Sequence, residues 1–217
     1  MDFLDFNKEV WEYIESHTSA EDPVLAALNR YTHLKVVHPR MLSGQVQGKF
    51  LEFISRMIQP SYILEIGTYT GYSAICLARG LKNDGKLITL EINDELAPVS
   101  EKFFAEAGLS GKIELVNGNA LEIIPRLKSG IDLVFMDAEK EQYSKYFELV
   151  FPKLKTGGFL LADNTLWDGK VVYDKEFKDT ASIALRDFNK MISENPKTEN
   201  LILPLRDGLS LIRKISD

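Results

Sequence analysis

Asp163 and Asn164 close the apolar run Phe159-Leu-Leu-Ala162, and Asp137 closes a second, Ile131-Asp-Leu-Val-Phe-Met136. Short apolar runs bounded by turn residues read as buried strands. Parallel strands of an open sheet bring their C-terminal ends to one rim, where ligands bind. Asp137, Asp163 and Asn164 are therefore expected to meet there as an all-oxygen set, the kind a hard divalent cation prefers. Taken singly, each is as readily a helix cap or a loop turn. Their shared placement at strand ends favours the metal.

The elements that would position them alternate strand and helix. The N-terminal part reads as helical, with Val10, Tyr13, Ile14 and His17 at helical spacing. Asp22-Pro23 has the form of an N-cap followed by proline at the first helical position, leading into a helix over 24–34. A helix over 45–58 sets Val46, Phe50, Phe53, Ile54 and Met57 on one face. Strands follow at 63–66, 87–92, 113–116, 131–136 and 159–162, interleaved with helices at 72–81, 94–107, 121–127 and 142–154. A last helix covers 181–193, and 201–205 with 209–215 form a hairpin around a short polar turn. This alternation implies βαβ units and a mainly parallel sheet of seven strands whose last pair is antiparallel.

The first strand runs into Glu65-Ile-Gly67-Thr-Tyr-Thr-Gly71. Glycines in a strand-to-helix turn let a ligand approach the backbone. The spacing is neither the dinucleotide fingerprint nor a phosphate-binding P-loop. Glu65 lies inside an apolar strand, where an unpaired carboxylate is costly; it could accept bonds from loop amides or meet a cationic ligand. Glu91 ends the next strand, where an acidic group typically holds ribose hydroxyls, although a solvated surface acid is as common. Gly118-Asn119-Ala120 follows the third strand and could frame an adenine. A glycine turn beside carboxylates, without a phosphate signature, suits a positively charged nucleoside, and S-adenosylmethionine is the obvious candidate.

Composition narrows the setting. The 217 residues are expected to form one domain (1–217), with an N-terminal helical segment over 1–58 and an α/β core over 59–217. A net charge of -6 argues weakly against a purely electrostatic nucleic-acid binder. No apolar run approaches the roughly 20 residues that span a bilayer. Met1-Asp-Phe-Leu-Asp-Phe6 is acidic and unlike a signal peptide, so cytoplasm is the default address. Cys76 is the single cysteine, which excludes an intrachain disulfide, and its apolar neighbours suggest a buried structural thiol. His17, His33 and His38 show no metal-ligand spacing.

Three co-linear motifs, Glu65-Ile-Gly-Thr-Tyr-Thr-Gly-Tyr-Ser73, Met136-Asp-Ala-Glu-Lys140 and Asp163-Asn-Thr-Leu-Trp-Asp-Gly169, closely resemble the cation-dependent O-methyltransferases, the group of caffeoyl-CoA and catechol O-methyltransferases and their bacterial relatives. The resemblance runs from about Met41 to the C-terminus. It implies an α/β, Rossmann-like methyltransferase fold with helices on both faces and an antiparallel last strand. It implies S-adenosylmethionine contacts at Ser43, Glu65, Gly67, Thr68, Ser73, Glu91, Ala120 and Glu139. Asp137, Asp163 and Asn164 match its metal ligands, for Mg²⁺ or another divalent cation such as Ca²⁺ or Mn²⁺. Lys140 matches the lysine near the acceptor hydroxyl and, with Asp137, is the catalytic candidate. Met41, Trp167 and Asp207 are acceptor-side candidates, with Tyr143 and Arg206 as weaker ones. A homodimer is implied, with the N-terminal helices as interface or lid. Glu91 and Glu139 stand where the plant enzymes usually have Asp, Gln47 replaces an acidic residue, and the acyl-CoA-binding insertions are not evident.

The chemistry expected is displacement at a sulfonium methyl by a hydroxyl whose oxyanion a divalent cation favours. Nearby metal charge and partial burial would lower the Lys140 pKa and suit it to general-base work. The acceptor is expected to be a small catechol-like or hydroxylated aromatic molecule. The alternative is a hydroxylated wobble uridine of transfer RNA, with Lys8, Arg30, Lys35 and Arg40 as a possible basic strip. A non-catalytic nucleotide-binding module is a third reading.

Overall fold

Seven strands form where the apolar runs fall: β1 (Tyr62–Ile66), β2 (Lys86–Glu91), β3 (Ile113–Asn117), β4 (Ile131–Met136), β5 (Leu154–Asp163), β6 (Thr198–Leu203) and β7 (Leu209–Lys214). They make one sheet in the order β3-β2-β1-β4-β5-β7-β6. The strand pairs β1 with β4, β2 with β3 and β4 with β5 are parallel, and β7 runs antiparallel between β5 and β6. This is the mixed sheet expected from the sequence. The computed structural model describes residues 8–217, so the acidic stretch at Met1–Phe6 lies outside the described residues. Two compact units divide the chain, Met1–Ser61 with Thr68–Gly118, and Tyr62–Gly67 with Asn119–Asp217.

In the first unit, α1 (Lys8–His17), α2 (Pro23–Lys35) and α3 (Gly44–Ile58) precede α4 (Tyr72–Ala78) and α5 (Ala97–Glu106). The Asp22 side chain accepts from the Val24 and Leu25 amides, with Pro23 opening α2 as its missing N–H allows. Helix α4 is buried on every side, in keeping with its apolar run over 74–78. It meets α3 closely because small residues face it: a Cβ on Gly80 would lie 2.2 Å from the Ser55 carbonyl carbon, and one on Gly48 2.5 Å from the Tyr72 ring. Cys76 lies inside this packing, and burial pushes its thiol pKa up. It is the inert structural cysteine expected. Gly108 takes a left-handed φ of 69° just past α5.

The second unit contains α6 (Ala120–Ile123), α7 (Tyr143–Val150) and α8 (Thr180–Ser193). Leu133 to Met136 in β4 are completely buried, as a central parallel strand covered on both faces requires. Several boundaries differ from the sequence reading, β6 among them, which runs over Thr198–Leu203 and stops before Pro204. Helix α6 gives way to a 3-10 turn containing Pro125. Helix α7 ends before Pro152, because the residue preceding a proline is disfavoured in helical conformation. The Thr156-Gly157-Gly158 turn is absorbed into β5, which therefore begins at Leu154. Its pairing with β4 slips between Ile131↔Leu154 and Leu133↔Phe159, a bulge in which Gly157 takes φ 86°.

Candidate active site

The register of the second unit decides which side chains meet. Met136 pairs with Ala162 across the parallel strands β4 and β5, so Asp137 and Asp163 emerge at neighbouring strand ends. Asp163 is 2% exposed, and its Oδ1 accepts from the Asn164 amide at 2.8 Å. That bond steadies Asn164 at φ 59°, a conformation asparagine tolerates better than most residues. Main-chain continuity and strand pairing thus bring all three predicted oxygen donors to one edge.

Lys140 joins them through a 3-10 turn, Lys140–Gln142, that starts three residues past Asp137. Its Nζ donates to Asp137 Oδ1 at 2.7 Å and to the Tyr143 hydroxyl at 2.9 Å. Burial favours the neutral amine, but the Asp137 carboxylate and the hydrogen bonds to Asp137 and Tyr143 outweigh it and hold the Lys140 pKa above its ordinary value. The chain's own residues thus favour an ammonium at Lys140, a hydrogen-bond donor, whereas the lowering expected from the sequence depends on a metal charge beside it. Burial raises the Tyr143 pKa against the opposing pull of Lys140, so the phenol is neutral. Tyr143 is fully buried and donates toward the Asp163 and Met136 carbonyls at 2.9 and 3.2 Å. Its hydroxyl is committed to Lys140 and these two carbonyls. Its position three residues after Lys140 was the signal that the two share a face.

Asn164 begins a loop of unusual backbone, with Trp167, Asp168 and Gly169 also at positive φ. The turn between β6 and β7 clamps it: the Thr165 amide donates to Gly208, and the Leu166 and Trp167 amides donate to the Asp207 carbonyl. Asp207 Oδ1 accepts from the Asp168 amide, and burial raises its carboxyl pKa. Thr165 is held further by Asn189, which donates to its carbonyl, and by Ser210, which donates to its hydroxyl. Asp207 thus shapes the turn that presents Trp167. Neither Asn189 nor Ser210 stood out in the sequence, because each is a common residue far along the chain from the loop it holds.

In the first unit the Thr68 and Tyr69 amides both donate to Glu91 Oε2, at 3.2 and 2.7 Å, and the Asn93 amide donates to Oε1. Glu91 thus takes up the amides that open this loop. The Thr68 and Thr89 hydroxyls meet at 2.5 Å. Glu91→Ala should strip an acceptor from two loop amides, at about 1–3 kcal/mol. Thermal unfolding would register this as a fall of about 2–10 °C, and an unchanged midpoint would show the bonds carry little weight.

The remaining predicted positions are spread through both units. In the first, Ser43 is buried just before α3, Ser73 is buried in α4, and Gln47 is buried in α3. Met41 is 58% exposed at the end of a 3-10 turn, Pro39–Met41. In the second, Glu65 is fully buried in β1, Ala120 opens α6, and Glu139 is exposed beside Lys140. Gly67, at φ 95°, lies against the Asp137 carbonyl: a Cβ there would come within 2.0 Å of its oxygen. The donor set of two carboxylates and one amide oxygen is hard and partly neutral, and suits Mg²⁺ or Ca²⁺. Among the described residues no group of three or more His, Cys, Asp or Glu side chains is placed to hold a metal ion.

A sheet with a single inserted antiparallel strand, bearing an acid–lysine pair and an Asp-Asn turn at adjacent strand ends, defines a methyltransferase-like α/β protein. The O-methyltransferase family model matches residues 15–215, and the chain belongs to that family. A catechol O-methyltransferase of Niastella koreensis is 33% identical over 219 residues, covering 94% of this chain and 98% of that protein. Caffeoyl-CoA O-methyltransferase 2 of Petunia hybrida is 32% identical over 191 residues, covering 81% and 77%. Among solved structures, the O-methyltransferase TomG from Streptomyces achromogenes, involved in tomaymycin synthesis and in complex with S-adenosylmethionine, superposes with a TM-score of 0.88 at 29% identity, covering 98% of this chain and 100% of that one. The O-methyltransferase from Bacillus cereus in complex with S-adenosylhomocysteine gives 0.88 at 27% identity, covering 95% and 97%.

Proposed function

We propose that this chain transfers the methyl group of S-adenosylmethionine to a hydroxyl of a small catechol-like or hydroxylated aromatic acceptor, with a divalent cation bound by Asp137, Asp163 and Asn164. The observation that carries this reading is the meeting of Lys140 with Asp137 at the strand end next to Asp163. The relatives' names and the ligands of the two superposed structures support the donor and the acceptor class. The transfer RNA alternative has no such support. Among the described residues no helix is long and apolar enough to cross a membrane, and we retain a cytoplasmic address as part of the proposal.

When bound, the cation supplies a Lewis acid that favours and orients the acceptor oxyanion. The residues of the chain do the rest. Asp137 and Asp163 provide negative charge, and Asn164 a neutral oxygen. Lys140, protonated against Asp137, donates to the oxygen that is losing its proton and steadies the charge developing there. A general-base role requires Asp137 to turn its charge elsewhere, which removes a main hold on the Nζ proton. The acceptor oxygen then forms its bond to the methyl carbon as the carbon–sulfur bond breaks, leaving S-adenosylhomocysteine and one released proton. Gly67 and Gly71 let the donor loop pack against the Asp137 carbonyl and the Phe104 ring, where a Cβ would collide, and Glu91, oriented by the loop amides, takes the ribose hydroxyls. Glu65, Thr68, Ser43, Ser73, Ala120 and Glu139 complete the proposed donor contacts.

The test is methyl transfer from labelled S-adenosylmethionine to catechol, with the protein first stripped by a chelator. Turnover is expected to be at background when stripped and to return with Mg²⁺. Equal turnover before and after chelation would refute the metal, and no transfer to any of a panel of catechols would refute the acceptor class. A homodimer through the N-terminal helices belongs to the same proposal, with exposed Phe53 and Met57 on α3 as candidate contacts. Sedimentation equilibrium measures it, and a monomer at micromolar concentration would exclude it.

A further inference from the structure

The Tyr143 hydroxyl lies between Lys140 and the main chain at the ends of β4 and β5. Its side chain is fully buried, and the ring packs edge-on against Phe188 with centroids 5.5 Å apart. A phenol has one hydrogen to give. The Asp163 carbonyl at 2.9 Å takes it, with the Met136 carbonyl at 3.2 Å as the weaker second acceptor. The phenol oxygen accepts in turn from Lys140 Nζ at 2.9 Å. Met136 ends β4 and Asp163 ends β5, so one hydroxyl joins both strand ends to the lysine. Lys140 needs such an anchor, because a lysine stem is flexible and a three-residue 3-10 turn does not by itself aim it.

We propose that Tyr143 is a positioning residue for methyl transfer: its hydroxyl holds the Lys140 ammonium beside Asp137 and ties that lysine to the main chain carrying Asp163. Tyr143 touches neither donor nor acceptor. The inference rests on the proposed role of Lys140 at the acceptor hydroxyl, and two separate readouts keep the failures of the two ideas apart.

Tyr143→Phe keeps the ring and its packing on Phe188 and removes only the oxygen. The first readout is solvent exchange of the Lys140 ammonium protons by ¹H–¹⁵N NMR, the signal being assigned by its loss in Lys140→Met. The second is steady-state kinetics with catechol, S-adenosylmethionine and Mg²⁺. The variant is expected to fold, with exchange at Lys140 accelerated about tenfold or more as its hydrogen bond is lost. Its kcat should fall about 10–100-fold, with KM for catechol changed less than about twofold, as a misplaced catalytic group predicts. A Lys140 signal and kcat both equal to wild type would overturn the positioning role, even if the melting temperature drops. Wild-type turnover by Lys140→Met would instead remove Lys140 from the reaction, while the exchange measurement still decides whether Tyr143 holds it.

Discussion

Replacing Asp163 by Ala is expected to abolish Mg²⁺-stimulated methyl transfer, lowering kcat/KM by about 10²–10⁴-fold, since a Lewis-acid site supplies several kcal/mol to the transition state. Asp163 has two jobs that must be separated. Its charge is half of the carboxylate charge in the proposed donor set, and its Oδ1 is the acceptor for the Asn164 amide. Ala removes both, so loss of activity in that variant mixes metal loss with a relaxed Asn164 turn. Asp163→Asn retains an oxygen for the amide and removes only the charge. It should fold with a near-native melting temperature, yet bind Mg²⁺ at least about tenfold more weakly by calorimetry, because a carboxylate is a stronger ligand for a hard cation than an amide. Undiminished Mg²⁺-stimulated turnover in Asp163→Asn would sink the metal assignment, whatever the alanine variant does.

Gly67→Ala should be the most damaging single methyl group in the second unit. The residue sits at φ 95°, which costs an L side chain about 1–2 kcal/mol. The added Cβ would also lie 2.0 Å from the Asp137 carbonyl oxygen and 2.8 Å from its carbon, and backbone cannot swing aside as a side-chain tip can. The neighbouring Asp137 amide already donates to Ile66 at 2.9 Å, so both chains are held where they would have to part. Overpacking adds about 1–3 kcal/mol. The sum is a large share of the ~5–15 kcal/mol that holds a typical protein folded. A melting temperature lowered by about 5–15 °C is expected at this chain length, together with weakened S-adenosylhomocysteine binding. Gly108→Ala is the control, because φ is 69° there and nothing lies within 4 Å of a Cβ. It should show the backbone strain alone. A Gly67→Ala protein as stable as Gly108→Ala and equally able to bind S-adenosylhomocysteine would contradict the steric argument.

Much of this arrangement was legible in the sequence because it depends on local periodicity. The strand ends at Asp137 and Asp163, the capping of α2 by Asp22 and the antiparallel final hairpin all follow from patterns within a few residues. The misplaced boundaries have different causes. The glycine pair at 157–158 carries the same turn signal whether the chain reverses there or merely kinks within β5, and only pairing with β4 chooses between them. Pro152 was a readable stop for α7, since the residue before proline resists helical conformation.

The sequence by itself determined the inventory: two carboxylates and an asparagine at strand ends, a lysine three residues past Asp137, and glycines where backbone must come close. The tertiary structure decided the partners. The Thr68 and Tyr69 amides settled on Glu91, Asp207 bound the Trp167 turn, and Tyr143 turned inward to hold Lys140. It also set the burial of Lys140 against the Asp137 carboxylate and its hydrogen bonds, which hold the lysine pKa up. The reason is that hydrogen-bond geometry and electrostatic balance are sums over neighbours brought together by strand register, and register is a property of the assembled sheet rather than of any local pattern.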